Sequence, residues 1–203
     1  MRLDLSLYLV TDPGLCAERG LVETVVAAVR GGVTVVQLRD KHAGDGAMID
    51  QARRLKAALA GSGVPLIIND RLAVAVESGA DGLHIGQDDG EVAAARAALG
   101  ERALLGLSVQ TLEQMARVDA ERLDYLGLGP VFATPSKHDH AEPLGFAGLA
   151  SLAAASPLPA VAIGGLKAEH AAAVRQAGAQ GLAVISAICG RPDPELAARG
   201  FFG

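Results

Sequence analysis

"VTVVQLRDK" at residues 33–41 is an apolar run that ends in two cations. Val33 and Val35 are β-branched and suit the interior of a strand. Counted by twos, the same strand face would continue with Gln37, Arg39 and Lys41. A solvated strand end would explain one such pattern, but Arg and Lys at a strand tip can also hold a phosphorylated ligand. The residues at the ends of the other strands are needed to decide between a solvated strand end and a ligand site.

Eight apolar runs of this kind recur along the chain, each followed by a polar or glycine turn and, for most, an alanine-rich helical stretch. They are continuously apolar rather than alternating, which is typical of parallel strands covered on both faces. Eight such units predict a single (β/α)8 TIM barrel domain over residues 1–203, with a doubly wound sheet as the alternative. The predicted strands are 5–11, 33–39, 65–69, 82–86, 103–108, 125–129, 159–164 and 181–186. The predicted helices are 21–32, 47–63, 72–80, 91–100, 111–120, 149–156 and 169–179.

Composition narrows the class of protein. Only 3% of the 203 residues are aromatic and Trp is absent, so the core must be aliphatic. The net charge of −5 argues against nucleic acid or an anionic membrane as the main partner, but is compatible with a local cationic pocket. Cys16 and Cys189 form no CxxC pair, no signal peptide is evident, and no run is long enough to span a membrane. We therefore expect a cytoplasmic protein that binds small phosphorylated molecules, and homo-oligomerisation is left open.

In a (β/α)8 barrel the site lies at the carboxyl ends of the strands, so the residues that follow each strand can be considered together. Each also has a purely structural interpretation. Asp70 and Ser108 could cap helices, Asp88 and Asp89 could favour a first helical turn, and His84 is expected to be a satisfied core or rim histidine. The candidate positions are Gln37, Arg39, Lys41, Asn69, Asp70, Gln87, Asp88, Asp89, Ser108, Thr134, Ser136, Lys137, Gly164, Gly165 and Ser186.

As a set, these positions point to two anionic ligands in one site. Two carboxylates on neighbouring strand ends could share one Mg²⁺, which typically completes its shell with water and substrate phosphate. Arg39, Lys41 and Lys137 on the same rim suggest a metal-bound diphosphate. Separately, "IGG" (163–165) and "VISAI" (184–188, where Ser186 is expected to open a short helix) occupy the place where this fold often binds phosphate. An enzyme that joins two phosphorylated substrates would need this arrangement.

The segments "YLVTD", "GGVTVVQLRDK", "IINDRLAVAVESGADGLHIGQDD", "GLS", "DYLGLGPVFATPSK", "PLG", "AIGG" and "GLAVISAI" resemble the thiamine-phosphate synthase family, in that family's order. They span residues 8–188. The resemblance implies a (β/α)8 enzyme that couples hydroxymethylpyrimidine diphosphate to a thiazole phosphate, giving thiamine phosphate and pyrophosphate. It also implies a dissociative displacement through a pyrimidine cation, with no protein nucleophile.

Residue by residue, the resemblance implies four sets of roles. The pyrimidine diphosphate would be bound by Gln37, Arg39, Lys41, Asn69, Ser108 and Lys137. Among these, the catalytic residues would be Arg39, Lys41, Ser108 and Lys137. The thiazole phosphate would be bound by Thr134, Pro135, Ser136, Gly165, Ile185 and Ser186. The Mg²⁺ ligands would be Asp70 and Asp89, whereas Asp88 is not expected to be a ligand.

Two rival functions are compatible with parts of the same pattern, and a third, another phosphate-handling barrel enzyme of amino-acid biosynthesis, is suggested by the fold alone. A thiazole tautomerase is a related barrel in which the diphosphate-binding and metal-binding residues are altered, whereas "QLRDK", "ND" and "QDD" are all present here. A non-catalytic phosphate-binding barrel would keep "IGG" and lose the acidic pair, and Asp70 and Asp89 argue against it. A requirement for Mg²⁺ would separate the synthase from both.

Overall fold

The computed structural model describes residues 3–134 and 142–203 and shows a closed barrel of eight parallel strands. The first strand pairs with both the second and the last, so the doubly wound alternative is wrong and the predicted barrel is confirmed. Each strand lies within or one residue beyond its predicted range. The strands are β1 Leu7–Val10, β2 Val35–Leu38, β3 Leu66–Asn69, β4 Gly82–Ile85, β5 Leu104–Val109, β6 Tyr125–Leu128, β7 Ala160–Ile163 and β8 Gly181–Val184.

The helices surround the barrel and differ from prediction mainly at both ends of the chain. None of those described is long and apolar enough to cross a membrane. The helices are α1 Pro13–Cys16, α2 Leu21–Arg30, α3 Asp45–Leu59, α4 Leu72–Ser78, α5 Val92–Leu99, α6 Leu112–Met115, α7 Gly145–Ala155, α8 Ala171–Gln176 (preceded by a 3₁₀ turn, Ala168–His170) and α9 Pro194–Arg199.

Two short helices escaped prediction, and one predicted helix is absent. α1 and α9 each begin at proline, and the preceding aspartate, Asp12 or Asp193, accepts a hydrogen bond from a backbone N–H of the first turn. The helix expected to open at Ser186 is instead a series of hydrogen-bonded turns over residues 186–190. The last helix begins later because Asp193 and Pro194 supply the cap and the pre-set backbone.

Two apolar cores hold the structure together, and both are mainly aliphatic, as the composition predicted. The larger core lies between the strands and the surrounding helices. The smaller core fills the barrel and contains two tyrosines, Tyr8 and Tyr125, both about 1% exposed or less. Gly106 makes room for Tyr125, since a Cβ at that position would collide with its ring. Polar hydroxyl groups are thereby placed inside the barrel, beneath its carboxyl end.

Candidate active site

A cavity of about 940 Å³ opens at the carboxyl ends of the strands. It brings together all the predicted site residues that the structure describes, although they come from seven different strand–loop junctions. Pro135, Ser136 and Lys137 lie outside the described residues. The candidate positions that line the cavity are Gln37, Arg39, Lys41, Asn69, Asp70, Gln87, Asp88, Asp89, Ser108, Thr134, Gly164, Gly165, Ile185 and Ser186.

Arg39 and Lys41 belong to the loop after β2. The prediction that they continue the face of that strand is therefore wrong. β2 ends at Leu38, and Gln37 is only 4% exposed because its side chain lies inside the barrel. Arg39 follows the strand, and its backbone N–H donates to the hydroxyl of Thr11, at 3.0 Å. Thr11 is fully buried, so this contact fixes the start of the loop. Lys41 is exposed at the rim of the cavity.

Arg71 braces this loop from the neighbouring β3–α4 connection. Its guanidinium donates to the carbonyl of Ala43 at 2.6 Å and to that of Asp40 at 3.3 Å, and it also binds the carboxylate of Asp45 at 3.0 Å. The carboxylate of Asp40 accepts from the backbone N–H of His42 and closes a tight turn beside Lys41. The loop that carries the two cations is therefore held from outside itself.

Asp70 occupies a strained turn and does not cap a helix. Its φ of +62° makes it the single non-glycine residue with a positive φ among those the structure describes. The N–H of Arg71 donates to the carbonyl of Asn69 at 2.7 Å, which closes a three-residue γ-turn around Asp70. The positive-φ form of this turn is rare and strained, and strained backbone clusters at functional sites. Arg71 stands at the N-cap of α4 and makes no side-chain cap there.

Asp70 and Asp89 both line the cavity, and the carboxylate of Asp89 lies close enough to that of Asp70 to affect its pKa. Burial raises the pKa of Asp70 to about 6, with a further increase from the neighbouring Asp89 and smaller opposing effects from Asn69 and Lys41. Asp89 also accepts the N–H of Gly86 at 2.7 Å, so it contributes to the loop after β4 rather than to the first turn of α5. Asp70 is partly buried and Asp89 is exposed, and two neighbouring carboxylates repel each other when both are ionised.

This pair suits Mg²⁺ better than it suits zinc. Among the described residues, no group of three or more His, Cys, Asp or Glu side chains could hold a metal. Zinc prefers such a set, whereas Mg²⁺ often takes one or two carboxylates and completes its shell with water and substrate phosphate. A divalent cation would also relieve the repulsion between Asp70 and Asp89. The residues present therefore fit the expected cofactor.

The glycines after β7 allow a close approach of the loop after β6. Gly164 and Gly165 have φ values of +107° and +62°. A Cβ on Gly164 would lie 2.6 Å from Pro130, and one on Gly165 would lie 2.8 Å from the carbonyl oxygen of Ala133. The backbone N–H of Phe132 also donates to the carbonyl of Gly164 at 3.0 Å. Thr134 is thus brought to the same side of the cavity as Gly165, Ile185 and Ser186.

Sequence reasoning missed a group of polar residues inside the barrel. His84 was expected to be a satisfied histidine, and this is confirmed: its Nδ1 lies 3.1 Å from the hydroxyl of Tyr125 and its Nε2 lies 2.9 Å from Oγ of Ser108. Ser108 caps no helix, since Thr111 caps α6. Tyr8 and Tyr125 stand in strands and there resemble ordinary core residues. The only available signal was that they are the two tyrosines of the chain.

Comparison with known proteins agrees with this geometry. Residues 7–188 match the family model described as thiamine monophosphate synthase. The thiamine-phosphate synthase of Psychrobacter sp. (strain PRwf-1) is 56% identical over 96% of this chain and 92% of its own. The thiamine-phosphate synthase of Azorhizobium caulinodans is 55% identical over 97% of this chain and 92% of its own. A solved thiamine phosphate pyrophosphorylase from Pyrococcus furiosus is 32% identical, with a TM-score of 0.88 over 99% of this chain and 95% of that one. The chain therefore belongs to the thiamine monophosphate synthase family of transferases.

Proposed function

We propose that this enzyme joins hydroxymethylpyrimidine diphosphate to hydroxyethylthiazole phosphate, or its carboxylated form, and releases thiamine phosphate and pyrophosphate, together with carbon dioxide when the thiazole is carboxylated. The observation that carries the proposal is a single cavity that is lined by an acidic pair, a cationic loop and a glycine-rich turn. A synthase that condenses two phosphorylated substrates needs all three. A phosphate-binding barrel would not need the acidic pair.

Asp70 and Asp89 would hold Mg²⁺, and Arg39 and Lys41 would lie beside the diphosphate. When bound, the cation would neutralise negative charge on the diphosphate and so make it a better leaving group. Lys137, which lies outside the described residues, is proposed to contribute in the same way as Arg39. The backbone around Gly165, with Thr134 and Ser186, would take the thiazole phosphate.

The reaction is proposed to begin with loss of pyrophosphate from the pyrimidine methylene carbon. The electron-rich aminopyrimidine can carry the resulting positive charge. The thiazole nitrogen then bonds to the methylene carbon of this pyrimidine cation. The protein would supply no nucleophile, and neither of the two buried cysteines, Cys16 and Cys189, lines the cavity. Its contribution would be to position both substrates and to stabilise the charge that develops on the leaving group.

The test is to mix both substrates with the purified protein, with and without Mg²⁺, and to assay thiamine phosphate through its fluorescent oxidation product. We expect product only with the metal, and a loss on the order of 10²–10³ in rate for Arg39→Ala or Lys137→Ala. Asp70→Asn should abolish the response to Mg²⁺, whereas Asp88→Asn, which removes a neighbouring charge, should retain it. Wild-type rates in Arg39→Ala or Lys137→Ala would reject the role of that residue.

A different outcome would favour the rival functions. If no product forms while thiazole phosphate still binds by calorimetry, the protein would be a tautomerase or a phosphate-binding barrel. Interconversion of thiazole phosphate tautomers without Mg²⁺ would then identify the tautomerase.

A further inference from the structure

Five side chains form a continuous hydrogen-bonded chain across the barrel interior, and all of them except Tyr125 also line the cavity. Nε2 of Gln37 lies 2.9 Å from the hydroxyl of Tyr8, which lies 2.8 Å from the hydroxyl of Tyr125. The hydroxyl of Tyr125 lies 3.1 Å from Nδ1 of His84, and Nε2 of His84 lies 2.9 Å from Oγ of Ser108. We call this chain the relay; its members come from β1, β2, β4, β5 and β6.

The direction of each hydrogen bond follows from counting protons. Burial raises the pKa of both Tyr8 and Tyr125, so both phenols keep their protons at neutral pH. The amide of Gln37 donates to Tyr8, and the other partner that the structure gives for this hydroxyl is Tyr125. Tyr8 therefore donates to Tyr125, and Tyr125 in turn donates its own proton to Nδ1 of His84.

His84 is left as the tautomer that carries its proton on Nε2. That proton is donated to Oγ of Ser108, which therefore uses a lone pair in this contact. The proton of Ser108 is not needed by the relay and is available to a ligand in the cavity. If the amide of Gln37 were reversed, every bond would reverse, and Ser108 would instead offer the cavity a lone pair.

We propose that the relay holds Ser108 as a hydrogen-bond donor, so that this position selects a substrate atom with a lone pair, such as a pyrimidine ring nitrogen or a diphosphate oxygen. Tyr8, Tyr125 and His84 are positioning residues, which act through Ser108. The identity of the substrate rests on the function proposed above, whereas the direction of the relay does not.

The direction is tested by ¹⁵N NMR of the histidine rings in the protein without substrates. We expect His84 to show a protonated Nε2 and an unprotonated Nδ1; the opposite tautomer would overturn the proposal. Tyr125→Phe, which removes the partner of Nδ1, should shift the His84 signals and mix the two tautomers, and so assigns those signals without removing a histidine.

Tyr8→Phe deletes the same atom one step farther from the histidine and separates Tyr125 from Gln37, which sets the direction. Tyr125 keeps its contact with Nδ1 in this variant but is no longer made to donate, so the two tautomers should mix here as well. If the tyrosines only filled space, both variants would leave the tautomer unchanged. If the relay ran in the opposite direction, the protein would show Nδ1–H before any substitution.

The functional part is tested by a double-mutant cycle on synthase activity. Tyr125→Phe should lower kcat about tenfold, the lower range for loss of a supporting hydrogen bond at a site. In a Ser108→Ala background the same substitution should have little further effect, because its path to the substrate is gone. Equal loss in both backgrounds would overturn the positioning role. Absence of synthase activity in the unmodified protein would contradict the proposed function and leave the NMR result to decide the relay.

Discussion

Asp70 combines two features that each destabilise the fold. Its backbone lies in the left-handed region, and its partly buried carboxylate lies beside that of the exposed Asp89. Aspartate tolerates positive φ better than most residues, since its short polar side chain can hydrogen-bond locally. Both features persist because β3 and the turn closed by Arg71 hold the residue there. Backbone strain and a shifted pKa are both typical of functional positions.

The charge contribution of Asp70 should be visible as a pH dependence of stability. Its pKa in the fold, about 6, is above its value in the unfolded chain, so the stabilisation present at low pH is lost as pH rises through 6. Asp70→Asn does not titrate. We therefore expect it to match the unmodified protein near pH 4 and to exceed it by about 1–2 kcal/mol at pH 7, after allowing for solvent screening. Urea unfolding without Mg²⁺ measures this; a difference that is constant with pH would contradict it.

The backbone contribution of Asp70 can be measured separately with two uncharged substitutions. Asp70→Gly and Asp70→Ala both remove the carboxylate, but only glycine adopts φ of +62° freely. We expect the glycine variant to be the more stable by about 1 kcal/mol, the reverse of the usual order at ordinary φ. Thermal unfolding of the two variants measures this difference in stability. Greater stability of the alanine variant would show that the turn relaxes at no cost.

At the scale of single residues, sequence could locate the cavity lining but not the groups beneath it. Asp70, Asp88 and Asp89 were found because polar residues after parallel strands must share one rim, and the choice of Asp89 over Asp88 came from the family resemblance. Thr11, Tyr8 and Tyr125 were missed, because threonine and tyrosine in an apolar strand have the same pattern as a core. Their roles depend on which atoms meet across the barrel, and spacing in one strand does not contain that information.

At the scale of elements, the loop after β2 depends on a side chain from the next unit. Arg71 donates to two carbonyls of that loop and binds Asp45, at the start of α3. We expect Arg71→Gln to release the loop that carries Lys41, lowering activity by about 10–100-fold with a modest change in melting temperature. Arg54→Gln, an equal change of charge on the exposed side of α3, is the control. Equal activities in the two variants would show that the loop is held without Arg71.

Element boundaries were predicted best where a strand was buried on both faces. Each strand lies within its apolar run or extends one residue beyond it. This agreement arises because every strand is buried between the core inside the barrel and the core beneath the helices. α1 and α9 were missed although both have aspartate followed by proline, a strong local start signal, because they have too few residues to show helical periodicity. α6 was predicted too long, since an isolated pattern of apolar residues does not show where the chain turns away.

At the scale of the whole molecule, the ring of helices closes where α9 packs on α2, so the last helix covers the first unit. Gly31 lies at this contact, and a Cβ there would collide with the carbonyl oxygen of Glu195 and with the side chain of Ala198. The carboxylate of Glu195 also binds Arg30 at 3.2 Å. Phe201, just beyond α9, is buried and lines the cavity, so this closure also shapes the site.

Gly31→Ala should therefore disturb both stability and the site. Gly31 has φ of −78°, which alanine adopts freely. Any loss of stability would therefore come from the collision with α9 and not from backbone strain. We expect a loss of about 1–3 kcal/mol in the free energy of unfolding, the usual cost of overpacking, and a weaker apparent affinity for substrate as Phe201 shifts. Gly46→Ala is the control, since nothing lies within 4 Å of the added atom. If both variants unfold at the same urea concentration, α9 moves aside freely, and the closure of the barrel does not depend on its last helix.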